Sequence, residues 1–306
     1  MTEKPIDLLV IIGPTATGKT TLAANMAIKL NGEIISADSR QIYRGMDLGT
    51  GKDLADYTVN GISVPYHLID IIEAGEKYNV FQYQADFLNA YTTIREKGKL
   101  PILCGGSGMY IEAVLKGYKL VDVPNNELLR TELEHFDLPE LTAKLSKMKP
   151  LHNKTDVDTK DRAFRALEIA TFYENHPTTD FGFPTINPLI IGIELDRQTV
   201  KNRITDRLKQ RLRQGMIDEV QTLLNKGVPA DVLVYYGLEY KFITQYLAKE
   251  SSYNKMVSTL NVAIHQFSKR QMTWFRKMER NGFNIHWMDG NITLEEKIKG
   301  VMELIQ

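Results

Sequence analysis

The chain has 306 residues, 43% of them hydrophobic and 25% charged. This is the balance of a soluble globular protein with a sizeable core, and it excludes a low-complexity or disordered chain. Lys plus Arg equals Asp plus Glu at 38 each, so bulk charge announces no nucleic-acid partner and any basic surface must be local. The single cysteine, Cys104, excludes an intrachain disulfide framework and a cysteine-built zinc site. In chain order, "DLLVIIGP" reads as a buried parallel strand, and its apolar run Leu8 to Ile12 is too short to span a membrane. No signal peptide precedes it, so the cytoplasm is the expected compartment. "TLAANMAIKL" reads as a helix closed by Asn31 and Gly32, and "GEIISADS" as a second strand. "YHLIDII" is expected to be a further strand, "NVFQYQADFLNAYTTIREKGK" a helix, "LPILCGG" a strand and "SGMYIEAVLKGY" a helix. From about Val121 strand character fades into helices broken by Pro and Asn, before "PLIIGIELD" returns as a core strand. Long amphipathic helices follow Asp196, and "FNIHWMD" is a last strand. The expected fold is α/β, a parallel-sheet core from residues 1–119 and 184–306 with a helical insertion at 120–183.

"GPTATGKT" at Gly13 to Thr20 fits the P-loop pattern in full, with a strand before it and a helix after it. Glycines let backbone N–H groups turn inward around an anion, and the helix adds its positive N-terminal end. Lys19 brings a mobile charge, and the Thr20 hydroxyl can sit on Mg²⁺. ATP is the obvious ligand, but a nucleotide-hydrolysing P-loop protein usually has a second strand ending in an aspartate that steadies Mg²⁺. The matching strand here, "LPILCGG", ends in Cys104 and glycines. Asp38 ends the second strand and is expected beside the loop, because strand C-termini surround the ligand in open α/β sheets. A helix N-cap, a Mg²⁺-supporting carboxylate and a general base are all open to it.

Two basic stretches stand out. "VKNRITDRLKQRLRQGMIDEV" has Arg203 and Arg207 four residues apart, on one helix face. "KRQMTWFRKMER" interleaves Lys269, Arg270, Arg276, Lys277 and Arg280 with Trp274 and Phe275, a pattern suited to phosphate contact and stacking, or to an amphipathic helix with buried aromatics. The six histidines are scattered without metal-ligand spacing and read as structural.

"GPTATGKT", "ISADSRQIYRGMDLGTGK", "YHLIDI", "PILCGGSGMYIEAVLKG", "RAFRALEI" and "HQFSKRQMTWFRKM" occur in an order that resembles the tRNA dimethylallyltransferase family over nearly the whole chain. The resemblance implies transfer of a dimethylallyl group from dimethylallyl diphosphate to N6 of adenine 37, next to the anticodon, in tRNAs reading codons that begin with U. It implies that Gly13, Pro14, Thr15, Ala16, Thr17, Gly18, Lys19 and Thr20 hold the diphosphate, with Mg²⁺ on Thr20 as cofactor. Asp38 matches the family's base, and Lys19, Thr20 and Arg207 complete the implied catalytic set. Asp38, Ser39, Arg40, Gln41 and Ser107 are implied to meet the tRNA anticodon stem-loop, as are Arg130, Arg162, Arg165, Lys269, Arg270 and Gln271. Two departures stand beside this: Asp161 replaces a family Gln, and "YYGLEYKF" replaces the usual Gly-Tyr-Arg segment. A monomer is expected. The competing readings are an adenylate dimethylallyltransferase, a P-loop small-molecule kinase, and a non-catalytic RNA-binding protein with a relic loop.

Overall fold

The computed structural model describes residues 5–118, 120–151, 155–176 and 183–305. The first half alternates strand and helix: β1 (Leu8–Ile12), α1 (Lys19–Lys29), β2 (Gly32–Ala37), β3 (Thr58–Val59), β4 (Ile62–Ser63), β5 (Tyr66–His67), α2 (Val80–Glu96), β6 (Leu100–Gly105) and α3 (Gly108–Leu115). Three helices follow, α4 (Glu127–Leu133), α5 (Leu138–Met148) and α6 (Lys160–Asn175). Then come β7 (Pro188–Glu194), α7 (Arg197–Arg213), α8 (Met216–Asn225), α9 (Ala230–Tyr236), α10 (Leu238–Leu247), α11 (Tyr253–Arg280), β8 (Ile285–Asp289) and α12 (Leu294–Ile305).

The chain divides into two compact units, Met1–Lys116 with Thr185–Gln306, and Gly117–Pro184. In the first, six parallel strands run in the order β5-β2-β6-β1-β7-β8. Every residue of β1 is fully buried, which matches a strand covered on both faces. Leu9 and Ile11 meet Leu22, Ala23 and Met26 of α1 and Val301 of α12. Side chains alternate along a strand, so Leu8, Val10 and Ile12 point the other way. α2 packs against β2 and β6 and brings Tyr83 and Phe87 into the core. A separate core joins Ile42, Tyr43 and Met46 to α7–α11, through Ile204, Met216, Leu233, Tyr240 and Leu260 among others.

The second unit is built by α4, α5 and α6 around Leu141, Leu145, Ala163 and Leu167. At its centre lies Glu168, 2% exposed, whose carboxylate accepts from Arg130 Nε at 2.6 Å, Arg165 Nη1 at 3.0 Å and the Asn126 amide at 3.0 Å. Burial alone would raise its pKa, but the bonds from Arg130, Asn126 and Arg165 bring it down to about 2.

Two local expectations change. "YHLIDII" is a strand only at Tyr66–His67, because Leu68 and Asp70 adopt φ of 62° and 55° and turn the chain off the sheet edge. After α1, Asn31 alone takes the left-handed position, at φ 50°. Gly32 already belongs to β2, where a Cβ would meet the Leu100 carbonyl oxygen at 2.6 Å.

Candidate active site

The C-terminal ends of β1, β2 and β6 converge, as expected where an open α/β sheet binds its ligand. β1 runs into the Gly13–Thr20 loop, which α1 closes from Lys19 onward, with Gly18 at φ 82°. Gly13 is required by close approach: a Cβ there would lie 2.5 Å from the Ile193 carbonyl oxygen. Within the loop, Thr17 Oγ1 and Lys19 Nζ donate to the Pro14 carbonyl at 2.9 and 2.7 Å. The loop borders a cavity of about 410 Å³ through Thr15, Ala16, Lys19 and Thr20. Burial lowers the Lys19 pKa to about 8, with Arg207 adding to the effect and Asp38 opposing it.

β2 ends at Ala37, and Asp38 lines the same cavity. β6 separates β2 from β1 and ends in Cys104 and Gly105, with Gly106 next, so no acid stands there. A Cβ at Gly105 would lie 2.3 Å from the Ala37 carbonyl oxygen, so glycine lets β2 and β6 approach this closely. Asp38 Oδ1 accepts from the Arg40 amide at 3.0 Å, a short turn that aims the carboxylate. Burial raises the Asp38 pKa, against the Arg40 amide and the positive charges of Lys19, Arg40 and Arg207. The Cys104 thiol is pushed up to about 12, mainly by burial, and is neutral.

Ser39, Arg40, Gln41 and Ser107 also line the cavity. The Ser39 amide donates to Ser107 Oγ at 3.0 Å, linking the turn after β2 to the start of α3. Gln41 donates to the Gly51 carbonyl at 3.3 Å and accepts from Ser36 Oγ at 3.2 Å. From α7, Arg207 donates to Thr15 Oγ1 at 3.3 Å, to the Gly51 carbonyl at 3.4 Å and to Asp53 at 2.6 Å. Arg211, one turn further on, shares the Asp53 carboxylate at 3.0 Å. Of the expected residues, Lys19, Thr20, Asp38 and Arg207 therefore border one cavity.

α11 supplies Arg270 and Gln271. Gln271 differs from expectation: it is buried, accepts from the Thr15 amide at 2.9 Å and donates to the Gly106 carbonyl at 3.0 Å. Its amide ties the phosphate loop to the end of β6, where the sequence reading assigned it to RNA. Lys269 is exposed on the same helix and does not border the cavity. Phe275 is core, and Trp274 lies over Gly108, where a Cβ would meet its ring at 2.3 Å.

In the other unit, Arg130 and Arg165 are engaged with Glu168. Arg162 pairs with Asp158 at 2.7 Å and remains half exposed.

Sequence reading missed Tyr57, Arg211 and Tyr235 as cavity residues, missed Asp53 as the partner of Arg207 and Arg211, and left Glu239 unassigned. Glu239 stands in the first turn of α10, and burial raises its pKa to about 7, with Arg211 and Arg207 opposing. Its signal was available in the departure of "YYGLEYKF" from the family pattern.

A parallel α/β sheet whose first strand feeds a phosphate loop, with a carboxylate and arginines around one cavity, defines a P-loop transferase-type site. The model described as IPP transferase matches residues 41–278, and the chain belongs to that family. It is 58% identical over 306 residues to tRNA dimethylallyltransferase 2 of Bacteroides fragilis strain YCH46, covering 100% of this chain and 99% of the relative. It is 59% identical over 297 residues to tRNA dimethylallyltransferase 1 of Porphyromonas gingivalis strain ATCC 33277, covering 97% and 98%. The crystal structure of the full-length tRNA isopentenylpyrophosphate transferase from Bacillus halodurans superposes with a TM-score of 0.72 at 34% identity, over 99% of this chain and 96% of that one. A eukaryotic dimethylallyltransferase acting on tRNA shares the fold, with a TM-score of 0.76 at 22% identity, over 93% and 74%.

Proposed function

We propose that this protein transfers a dimethylallyl group from dimethylallyl diphosphate to N6 of an adenine beside the anticodon of tRNA. Membership of the family supports dimethylallyl transfer to tRNA. One observation carries the chemical reading: an anion loop and a half-buried carboxylate, Asp38, border a single cavity.

The adenine amino group is a poor nucleophile, because its lone pair is delocalised into the ring. The allylic carbon is a good electrophile, because it tolerates positive charge. The N6–C bond forms as the C–O bond to diphosphate breaks, and the N6 proton passes to Asp38. A carboxylate whose pKa is raised by burial is a stronger base, once ionised, than an exposed one. Negative charge growing on the leaving diphosphate meets Lys19, Arg207 and the loop N–H groups, already positioned at the cavity wall. A lysine with pKa about 8 is still mostly protonated at neutral pH.

Among the described residues no cluster of three or more His, Cys, Asp or Glu side chains could hold a metal by itself. The Thr20 hydroxyl, beside the phosphate loop, would hold a Mg²⁺ ion together with the bound diphosphate. Such an ion would offset charge on the leaving group. The tRNA partner is proposed to reach Ser39, Arg40, Ser107 and Arg270 at the cavity, and the half-exposed Arg162 of the helical insertion. No helix among the described residues is long and apolar enough to cross a membrane, and a tRNA substrate implies work in the cytoplasm.

The test is incubation with unmodified tRNA and labelled dimethylallyl diphosphate, followed by nucleoside analysis. Label in N6-dimethylallyl-adenosine from the anticodon loop is expected. ATP consumption with the prenyl donor left untouched would instead assign the loop to a kinase.

A further inference from the structure

Two aromatic side chains on the cavity wall are more exposed than their chemistry favours. Tyr235, near the end of α9, is 70% exposed, and Phe267 of α11 is 39% exposed. Scattered exposed aromatics need no explanation, but these two share one cavity, and each carries an arginine. The Arg40 guanidinium lies 5.6 Å from the Tyr235 ring centroid, and Arg40 Nη2 also donates to the Tyr235 carbonyl at 3.3 Å. The Arg270 guanidinium lies 5.9 Å from the Phe267 ring. The two arginines come from different elements, the turn after β2 and α11, so the pairing is not a repeat of one local motif. Lys241 adds a further cation to the same wall.

Asp38, Lys19 and Thr20 line this same cavity, at the end of β2 and the start of α1. A base delivered to Asp38 must be turned out of its stack, and its neighbours then lose a stacking partner. Exposed aromatic faces backed by guanidinium groups suit such bases: the ring replaces the lost stack, and the cation meets the adjoining phosphate. We propose that the Tyr235–Arg40 and Phe267–Arg270 pairs are stacking platforms for the nucleotides flanking the target adenine. This rests on the reading of tRNA as substrate, and it adds Tyr235 and Phe267, to which no role was assigned, to two arginines that the family motifs already marked.

The test uses the full-length enzyme and an anticodon stem-loop RNA. Tyr235→Ala and Phe267→Ala should each raise KM for the stem-loop about tenfold, the scale of one lost base–aromatic stack. KM for dimethylallyl diphosphate should not move. Tyr235→Trp should restore stem-loop binding, which a merely structural role for the phenol would not allow. Stem-loops carrying an abasic nucleotide on either side of the target adenine need no protein variant. With the wild-type enzyme they should show the same loss. At one of the two positions the abasic change and Tyr235→Ala should not add, and Phe267→Ala should couple to the other. Unchanged stem-loop KM in both alanine variants, or full additivity at both abasic positions, overturns the proposal. A wild-type enzyme that labels no stem-loop at all would instead overturn the tRNA reading itself.

Discussion

Asp38 stands between opposing influences. Burial holds its pKa above the ordinary carboxylate value, while the Arg40 amide, Lys19, Arg40 and Arg207 draw it down. As a base it works only when ionised, so activity should fall as pH drops through that raised value. Lys19 works only when charged, so kcat/KM should also fall above about pH 8. Bound diphosphate favours the charged lysine, so the alkaline limb should move upward in kcat. Glu239 faces the same cavity with a pKa of about 7, so the acid limb belongs to both carboxyls until Glu239→Gln removes one. A kcat/KM profile flat from pH 7 to 9 would contradict the Lys19 assignment. Asp38→Ala should slow transfer by about 10²–10⁴-fold while tRNA still binds in a filter assay. Thr20→Ala should raise the Mg²⁺ concentration needed for half-maximal rate, and an unaltered metal titration would remove Thr20 from that role. Lys19, Thr20 and Asp38 were legible because the loop pattern and the strand end mark them in sequence. Tyr235 was not, because nothing local shows that the α9–α10 junction folds onto the strand ends, and Glu239 was marked only by the departure of its segment from the family pattern.

Elements position these residues through a few contacts. α11 reaches the phosphate loop through Gln271, which links the Thr15 amide to the Gly106 carbonyl. Gln271→Ala would leave that amide without its protein acceptor, at a cost of about 1–3 kcal/mol in chemical unfolding. It should raise KM for dimethylallyl diphosphate more than KM for tRNA, and the opposite split would return Gln271 to the RNA surface. The strands β1 and β6 and the helices α1 and α2 were readable, because continuous apolar runs and helical periodicity reflect burial directly. The edge at β5 was not, because Leu68 and Asp70 have φ values that their residue types rarely take. The loop contacts of Gln271 were hidden for a related reason. A polar residue in a basic helix suggests RNA, and only the fold reveals two backbone groups waiting for it.

For the whole molecule, two buried carboxylates set the response to acid. Glu33, 2% exposed, accepts from Lys99 at 2.8 Å and Lys97 at 3.1 Å and bonds His67 at 2.8 Å. Burial would raise its pKa, but these partners lower it to about 2, as Arg130, Asn126 and Arg165 do for Glu168. A depressed carboxylate stabilises the fold fully above its unfolded value, near 4.5, and loses that contribution as pH falls toward 2. Stability should therefore decline between about pH 4.5 and 2, one carboxylate in each unit. Glu168→Gln should cost about 2 kcal/mol at neutral pH, less than a fully desolvated pair because Arg130 and Arg165 keep roughly a third of their exposure. It should also flatten the acid slope of the helical unit, followed by circular dichroism. The sheet order carries a different consequence. β1 lies between β6 and β7, and Leu8 pairs with Pro188. During synthesis one flank of β1 stays unpaired until the ribosome has made the whole helical unit, leaving an apolar edge open to wrong partners. Nascent chains stalled before Pro188 should bind chaperones and resist proteases poorly, and chains stalled beyond β8 should not.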